Sequence, residues 1–99
     1  MKLSEYETAA ERTANPKLSL RDRLLDSAAG LAEEAGEILA LVRKHAFQGK
    51  KLPLERMEEE LGDALWCLAM TARFSGLTLE QIAAANIAKL KARTPVTGD

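Results

Sequence analysis

Glu33-Glu34-Ala35-Gly36-Glu37-Ile38-Leu39 and, 26 residues on, Glu59-Glu60-Leu61-Gly62-Asp63-Ala64-Leu65 share one pattern: two acids, an apolar residue, a glycine, an acid, then apolar sequence. Residues three apart in a helix lie on nearly the same side. Glu34 with Glu37, and Glu60 with Asp63, would each present two carboxylates to one spot, and two such helices packed together would bring four carboxylates into one cluster. Such a cluster repels itself unless a cation joins it. Oxygen-only ligation favours a hard divalent ion, Mg2+ first.

Working outward, Leu24, Ala28, Leu31, Ala35, Ile38 and Val42 recur at four and three, which predicts the core stripe of a long helix. Glu34 falls beside that stripe, whereas Glu33 points away from it at about 100° per residue. Charged groups within an apolar arc are costly unless paired or ligated. Gly36 and Gly62 each weaken a helix interior by about 1 kcal/mol relative to Ala. Closer approach of backbone or ligand at the acidic site is the expected compensation.

Capping and breaking signals divide the chain into four helices and nothing that reads as a strand. Ser4 with Glu7 forms a capping box for a short first helix reaching about Ala14, before Asn15-Pro16. Ser19 caps the long second helix, which runs to about Ala46. After the turn Gly49-Lys50-Lys51-Leu52-Pro53, Pro53 opens a third helix ending near Gly76. Thr78 with Gln81 caps a fourth that reaches Arg93. Residues 1–93 form one all-α domain, and 94–99 read as a loose tail.

On the third helix Leu61, Ala64, Leu65 and Leu68 face one way, while Trp66, Met70 and Phe74 form a second row on the other side. A helix apolar on both sides needs two covers. For so short a chain the expected second cover, over Trp66 and Phe74, is another subunit, with Trp66 packing under the first helix of its own chain as the alternative. On the fourth helix Ile82, Asn86, Lys89 and Arg93 share a face. A basic row is commonly a snorkelling edge, but beside a divalent-cation site Lys and Arg suit a phosphate-bearing substrate. Arg43-Lys44-His45 could add to it, although cations at a helix C-terminus also answer the helix dipole.

Net charge is -1, which leaves no basic excess to attract nucleic acid or an anionic membrane. No apolar run is long enough to span a bilayer. The one cysteine, Cys67, lies in an apolar segment and reads as a packing residue in a reducing, cytoplasmic setting.

Glu34-x-x-Glu37, a spacer, then Glu60-x-x-Asp63 followed by Ala64-Leu65-Trp66 resembles the MazG-like all-α nucleoside triphosphate pyrophosphohydrolases, over nearly the whole chain. Tyr6, Arg12-Thr13, Gly30-Leu31, Lys44, Leu77-Thr78-Leu79-Glu80 and Asn86-x-x-Lys89-Leu90-x-x-Arg93-x-Pro95 sit where small members have similar residues. The resemblance implies Mg2+-dependent cleavage of a nucleoside triphosphate between its α and β phosphates, and a four-helix bundle completed by homo-oligomerisation as a dimer or a dimer of dimers. It implies Glu34, Glu37, Glu60 and Asp63 as catalytic metal ligands, with Asn86, Lys89, Arg93 and Lys44 near the phosphates. The base contacts are left unassigned. Glu33 stands where a Gly is common, and Cys67 and Thr94 replace frequent tyrosines. A ferritin-like di-iron site would need Glu-x-x-His pairs, which His45, preceded by Val42 three positions earlier, does not supply. A binding protein without turnover and a helical interaction module are the remaining alternatives.

Overall fold

A computed structural model describes residues 1–93, and the expected loose tail lies outside them. Four helices follow in order: α1 (Leu3–Glu11), α2 (Leu20–Gln48), α3 (Leu54–Phe74) and α4 (Leu79–Arg93), with no strand among the described residues. The long helices α2 and α3 pair as a hairpin. Ser27 meets Thr71, Gly30 meets Cys67 and Glu34 meets Glu60, so the contacts run in opposite senses along the two chains.

Three helix ends behave as their residues dictate. Ser19 Oγ accepts the Asp22 N–H at 3.1 Å, and Gly49 closes α2 in the left-handed region at φ 65. Thr78 and Gln81 cap α4 reciprocally, the Thr78 N–H donating to Gln81 Oε1 at 2.9 Å and the Gln81 N–H to Thr78 Oγ1 at 3.1 Å. At a fourth end the expectation shifts by one position: Pro53 is the extended residue before α3 and Leu54 is its first helical residue.

The first helix differs from expectation. Its cap is Lys2, whose N–H donates to Glu5 Oε1 at 3.1 Å, and it ends at Glu11. Ser4 and Glu7 therefore form no local capping box. Glu7 is buried, and its Oε1 accepts the Leu79 N–H at 2.8 Å, capping a helix 72 residues away. Arg73 ties this corner together, with Nη1 3.6 Å from Glu7 and Nε 2.6 Å from Glu11. A buried carboxylate is sustained by such partners.

The Trp66–Met70–Phe74 row is covered by the chain itself, which corrects the expectation of a second subunit there. Met70 is fully buried in a cluster with Ala10, Ala69, Ala72 and Leu79, against which Tyr6, Trp66, Phe74 and Ile82 pack. The Trp66 indole donates to Thr13 Oγ1 at 2.8 Å. The helix α1 and the start of α4 fold back over α3, a tertiary event that periodicity along α3 does not encode.

The phase of α2 is also corrected. The face against α3 runs through Leu24, Ser27, Leu31, Glu34, Ile38 and Leu41, and Ala28, Ala35 and Val42 are exposed. Two of the seam positions are polar because they have partners across it: Ser27 lies 3.0 Å from Thr71, and Glu34 meets Glu60.

Close helix approach occurs at neither Gly36 nor Gly62, where an added Cβ would meet nothing within 4 Å. It occurs at Gly30, where a Cβ would stand 2.8 Å from Cys67 Sγ. Gly30→Ala is expected to cost about 1–3 kcal/mol by overpacking, with Cys67→Ala in the same chain restoring most of it. Gly36→Ala should instead add up to about 1 kcal/mol of helix propensity. Urea unfolding at one fixed protein concentration measures all three. Equal effects at Gly30 and Gly36 would contradict this seam.

Candidate metal centre

The antiparallel pairing of α2 and α3 carries the two acidic motifs past one another. Glu34 from α2 and Glu60 and Asp63 from α3 bring carboxylate oxygens within 4.8 Å of one another. Glu34 and Glu60 are half-buried and Asp63 is exposed, so the cluster opens to water on the Asp63 side. Glu34 Oε2 is closed off from solvent and has no hydrogen-bond partner. Leaving such a group unmatched is expensive. Sharing a proton relieves part of the conflict: a hydrogen bond with Glu60, then burial, then the charges of Glu60, Asp63 and Glu37 push the Glu34 carboxyl up to about 7. Glu60 also stands 3.8 Å from Arg56 one turn earlier.

The donor set fits a hard divalent cation. It consists of three oxygen ligands on two rigid helices, one of them an orphaned buried atom, and a bound cation would take the place of the shared proton. Glu37 is exposed, lies one turn beyond Glu34 and is not among the converged three. Glu33 is exposed on the far side of the turn.

Asn86, Lys89 and Arg93 are exposed along the outer half of α4, which packs mainly on α1. No salt bridge ties Lys89 or Arg93 to the carboxylates among the described residues. Lys44 lies ten residues beyond Glu34, about 15 Å along the helix axis. There it borders a concavity of about 320 Å³ with Ala40, Arg43, Phe47 and Gln48. His45 is engaged locally, its Nδ1 lying 2.7 Å from the Lys50 carbonyl. Cys67 is buried beneath the acidic cluster, where burial, Glu34 and Asp63 raise its pKa and keep the thiol protonated.

A family model described as the MazG nucleotide pyrophosphohydrolase domain matches residues 24–97. The chain belongs to this family. The matched segment contains both acidic motifs and all of α3 and α4, and begins after α1 and the first residues of α2. No curated protein and no solved structure matches the chain. Among the described residues of this MazG domain no helix is long and apolar enough to cross a membrane.

Tyr6 was legible as part of the family resemblance but not as a neighbour of the acids. The α1 helix places its phenol within the electrostatic reach of Asp63 and Cys67. Nor did local patterning show the Glu7–Arg73–Glu11 corner, since its partners lie more than 60 residues apart in sequence.

Proposed function

We propose that the protein hydrolyses nucleoside triphosphates to the monophosphate and pyrophosphate, with Mg2+ as its cofactor. The observation that carries this is the convergence of Glu34, Glu60 and Asp63 around an orphaned carboxylate oxygen, in a chain of the MazG family. Glu34, Glu60 and Asp63 would hold the cation, with Glu37 completing the set from the next turn of α2. A cation there would neutralise phosphate oxygens and acidify a water for attack on phosphorus. A carboxylate of this set not fully engaged in ligation would accept that water's proton. Asn86, Lys89, Arg93 and Lys44 would meet the remaining phosphate charge.

The test is to incubate the protein with Mg2+ and each common nucleoside triphosphate and to resolve the products. Monophosphate and pyrophosphate should appear in equal amounts. Diphosphate with inorganic phosphate would place the cut at the wrong bond, and no turnover of any nucleotide would favour a binding module.

The same reading includes assembly into a homo-oligomer in the cytoplasm. Leu25, Ala28, Ala32, Ala35, Leu39, Val42 and Ala46 form an exposed apolar stripe on α2, and Leu54, Leu61 and Leu68 form one on α3. Each stripe lies about 100° onward from the line of α2–α3 contact. In antiparallel helices equal rotations of this kind turn toward the same side of the hairpin, opposite the cover made by α1. The radius of gyration, 16.3 Å, exceeds the about 13 Å of a compact domain this long. A second hairpin laid on this face would complete a four-helix bundle. Light scattering should give at least twice the chain mass, and Leu39→Glu or Leu68→Glu should reduce it. A monomeric wild type would contradict the assembly. Changes at Trp66 or Phe74 should instead loosen the core of each chain.

A further inference from the structure

The direction of α4 is set at its first turn. Leu79 is buried in the cluster with Ala10 and Met70, and Ile82 packs against that cluster, but every described residue of α4 beyond Ile82 is exposed. A short link, residues 75–78, joins α3 to α4, with Gly76 in the left-handed region at φ 83. Across this link reaches the buried Glu7 of α1. Its Oε1 accepts the Leu79 N–H at 2.8 Å, and its Oε2 lies 3.6 Å from Nη1 of Arg73 in the last turn of α3. The Leu79 N–H is the first of α4, one of those for which a helix has no carbonyl of its own. Thr78 and Gln81 also cap this end, but both move with the helix and so cannot aim it. Glu7 stands on a different helix, and its bond ties the direction of α4 to α1 and α3.

The lever is long. Arg93 lies about 21 Å along the helix axis from Leu79, so a tilt of about 10° at the first turn carries it by about 4 Å. For a group that meets a reacting substrate, a misplacement of about 1 Å can cost about 100-fold. We propose that Glu7 is a positioning residue: by holding the first N–H of α4 from α1, it aims the Asn86, Lys89 and Arg93 row at the phosphates of the substrate. The inference rests on the reading of that row given above, and its test separates the two.

Two variants that keep this corner polar separate reach from charge. Glu7→Asp keeps the charge facing Arg73 but is shorter by one methylene, which draws the carboxylate away from Leu79. Glu7→Gln keeps the length and an acceptor oxygen. Spin labels at Ala29→Cys and Ala88→Cys, both exposed positions, in a Cys67→Ala chain diluted with unlabelled protein read the direction of α4 by double electron–electron resonance. Wild type and Glu7→Gln should share one narrow distance distribution and similar nucleotide KM. In Glu7→Asp the distribution should broaden or shift, and KM should rise by about 10-fold or more as charge-assisted bonds to phosphate are lost, with Mn2+ affinity unchanged. In a chain already carrying Lys89→Ala and Arg93→Ala, Glu7→Asp should add little further rise in KM, because the contacts it disturbs are gone. An unmoved distance in Glu7→Asp overturns the proposal, as does a moved distance with unchanged KM. If Glu7→Gln is the more damaging variant, the ion pair with Arg73 and not the reach to Leu79 holds the corner, which also overturns it. Absence of turnover in the wild type would overturn the reading of the row and the phosphate half of the proposal with it, whereas the distances alone decide whether Glu7 aims α4.

Discussion

Glu34→Gln is expected to abolish nucleotide turnover, with a loss greater than about 100-fold, the upper end of what removing a mere outer partner of a metal ligand costs. Among the described residues Glu34 is the one carboxylate with an oxygen both buried and unpartnered, so it has the least alternative to ligation. The same change should raise the cation-free melting temperature, because an amide can donate to Glu60 and carries no charge to repel it or Asp63. Glu60→Gln should behave similarly. Glu33→Gln is the control, being exposed about 100° from Glu34 on the same helix. It should leave turnover and melting near wild type. If Glu33→Gln is as damaging as Glu34→Gln, the orientation of α2 is wrong. Activity assays and thermal melts on the three variants decide the matter.

Without metal, the protein should lose stability as pH rises from about 4.5 to about 7, and then level off. Glu34 titrates near 4.5 as an ordinary side chain and at about 7 in the fold. Between these values the native state keeps a proton that the unfolded chain has released. The contribution is therefore fully present below the lower value and lost as pH rises through the upper one. A divalent cation competes with that proton, so its effect runs the other way. Mg2+ should raise the melting temperature little at pH 5 and fully at pH 8. At ten times its dissociation constant the gain is about 1.4 kcal/mol, roughly 5–10 °C for a domain of this size. Melting curves across pH, with and without Mg2+, measure both limbs. In Glu34→Gln the downward slope should flatten. A Mg2+ effect independent of pH would contradict displacement of the shared proton.

Much of this site could be read before the fold was known, and particular residues show why. The twin motifs were legible because helix geometry turns an i, i+3 spacing into a shared face, and because helices joined by a short turn pack antiparallel. The phase of α2 was not. Ala28, Ala35 and Val42 look like core beside Ser27, Glu34 and Leu41, and only the partners across the seam, Thr71 and Glu60, make the second set the buried one. The alanine-rich stripe is exposed and does not face α3. Glu7 misled for a related reason. Three residues after Ser4 it resembles a local cap, but burial and Arg73 direct it to Leu79 across the chain. Gly36 and Gly62 looked like points of helix approach, whereas contact distance assigns that role to Gly30. Local capping by Ser19, Thr78 and Gln81 followed from sequence because both partners lie within one turn.

If carboxylates from two helices form one cation site, removing any one of its ligands should weaken cation binding. Titrating Mn2+ at pH 8 into wild type, Glu34→Gln, Asp63→Asn and Glu33→Gln, and following free ion by electron paramagnetic resonance, tests it most directly. Wild type and Glu33→Gln should bind tightly, and binding should weaken more than about 100-fold in Glu34→Gln and Asp63→Asn, since each loses a direct ligand rather than an outer one. Equal Mn2+ affinity in all four proteins would contradict it.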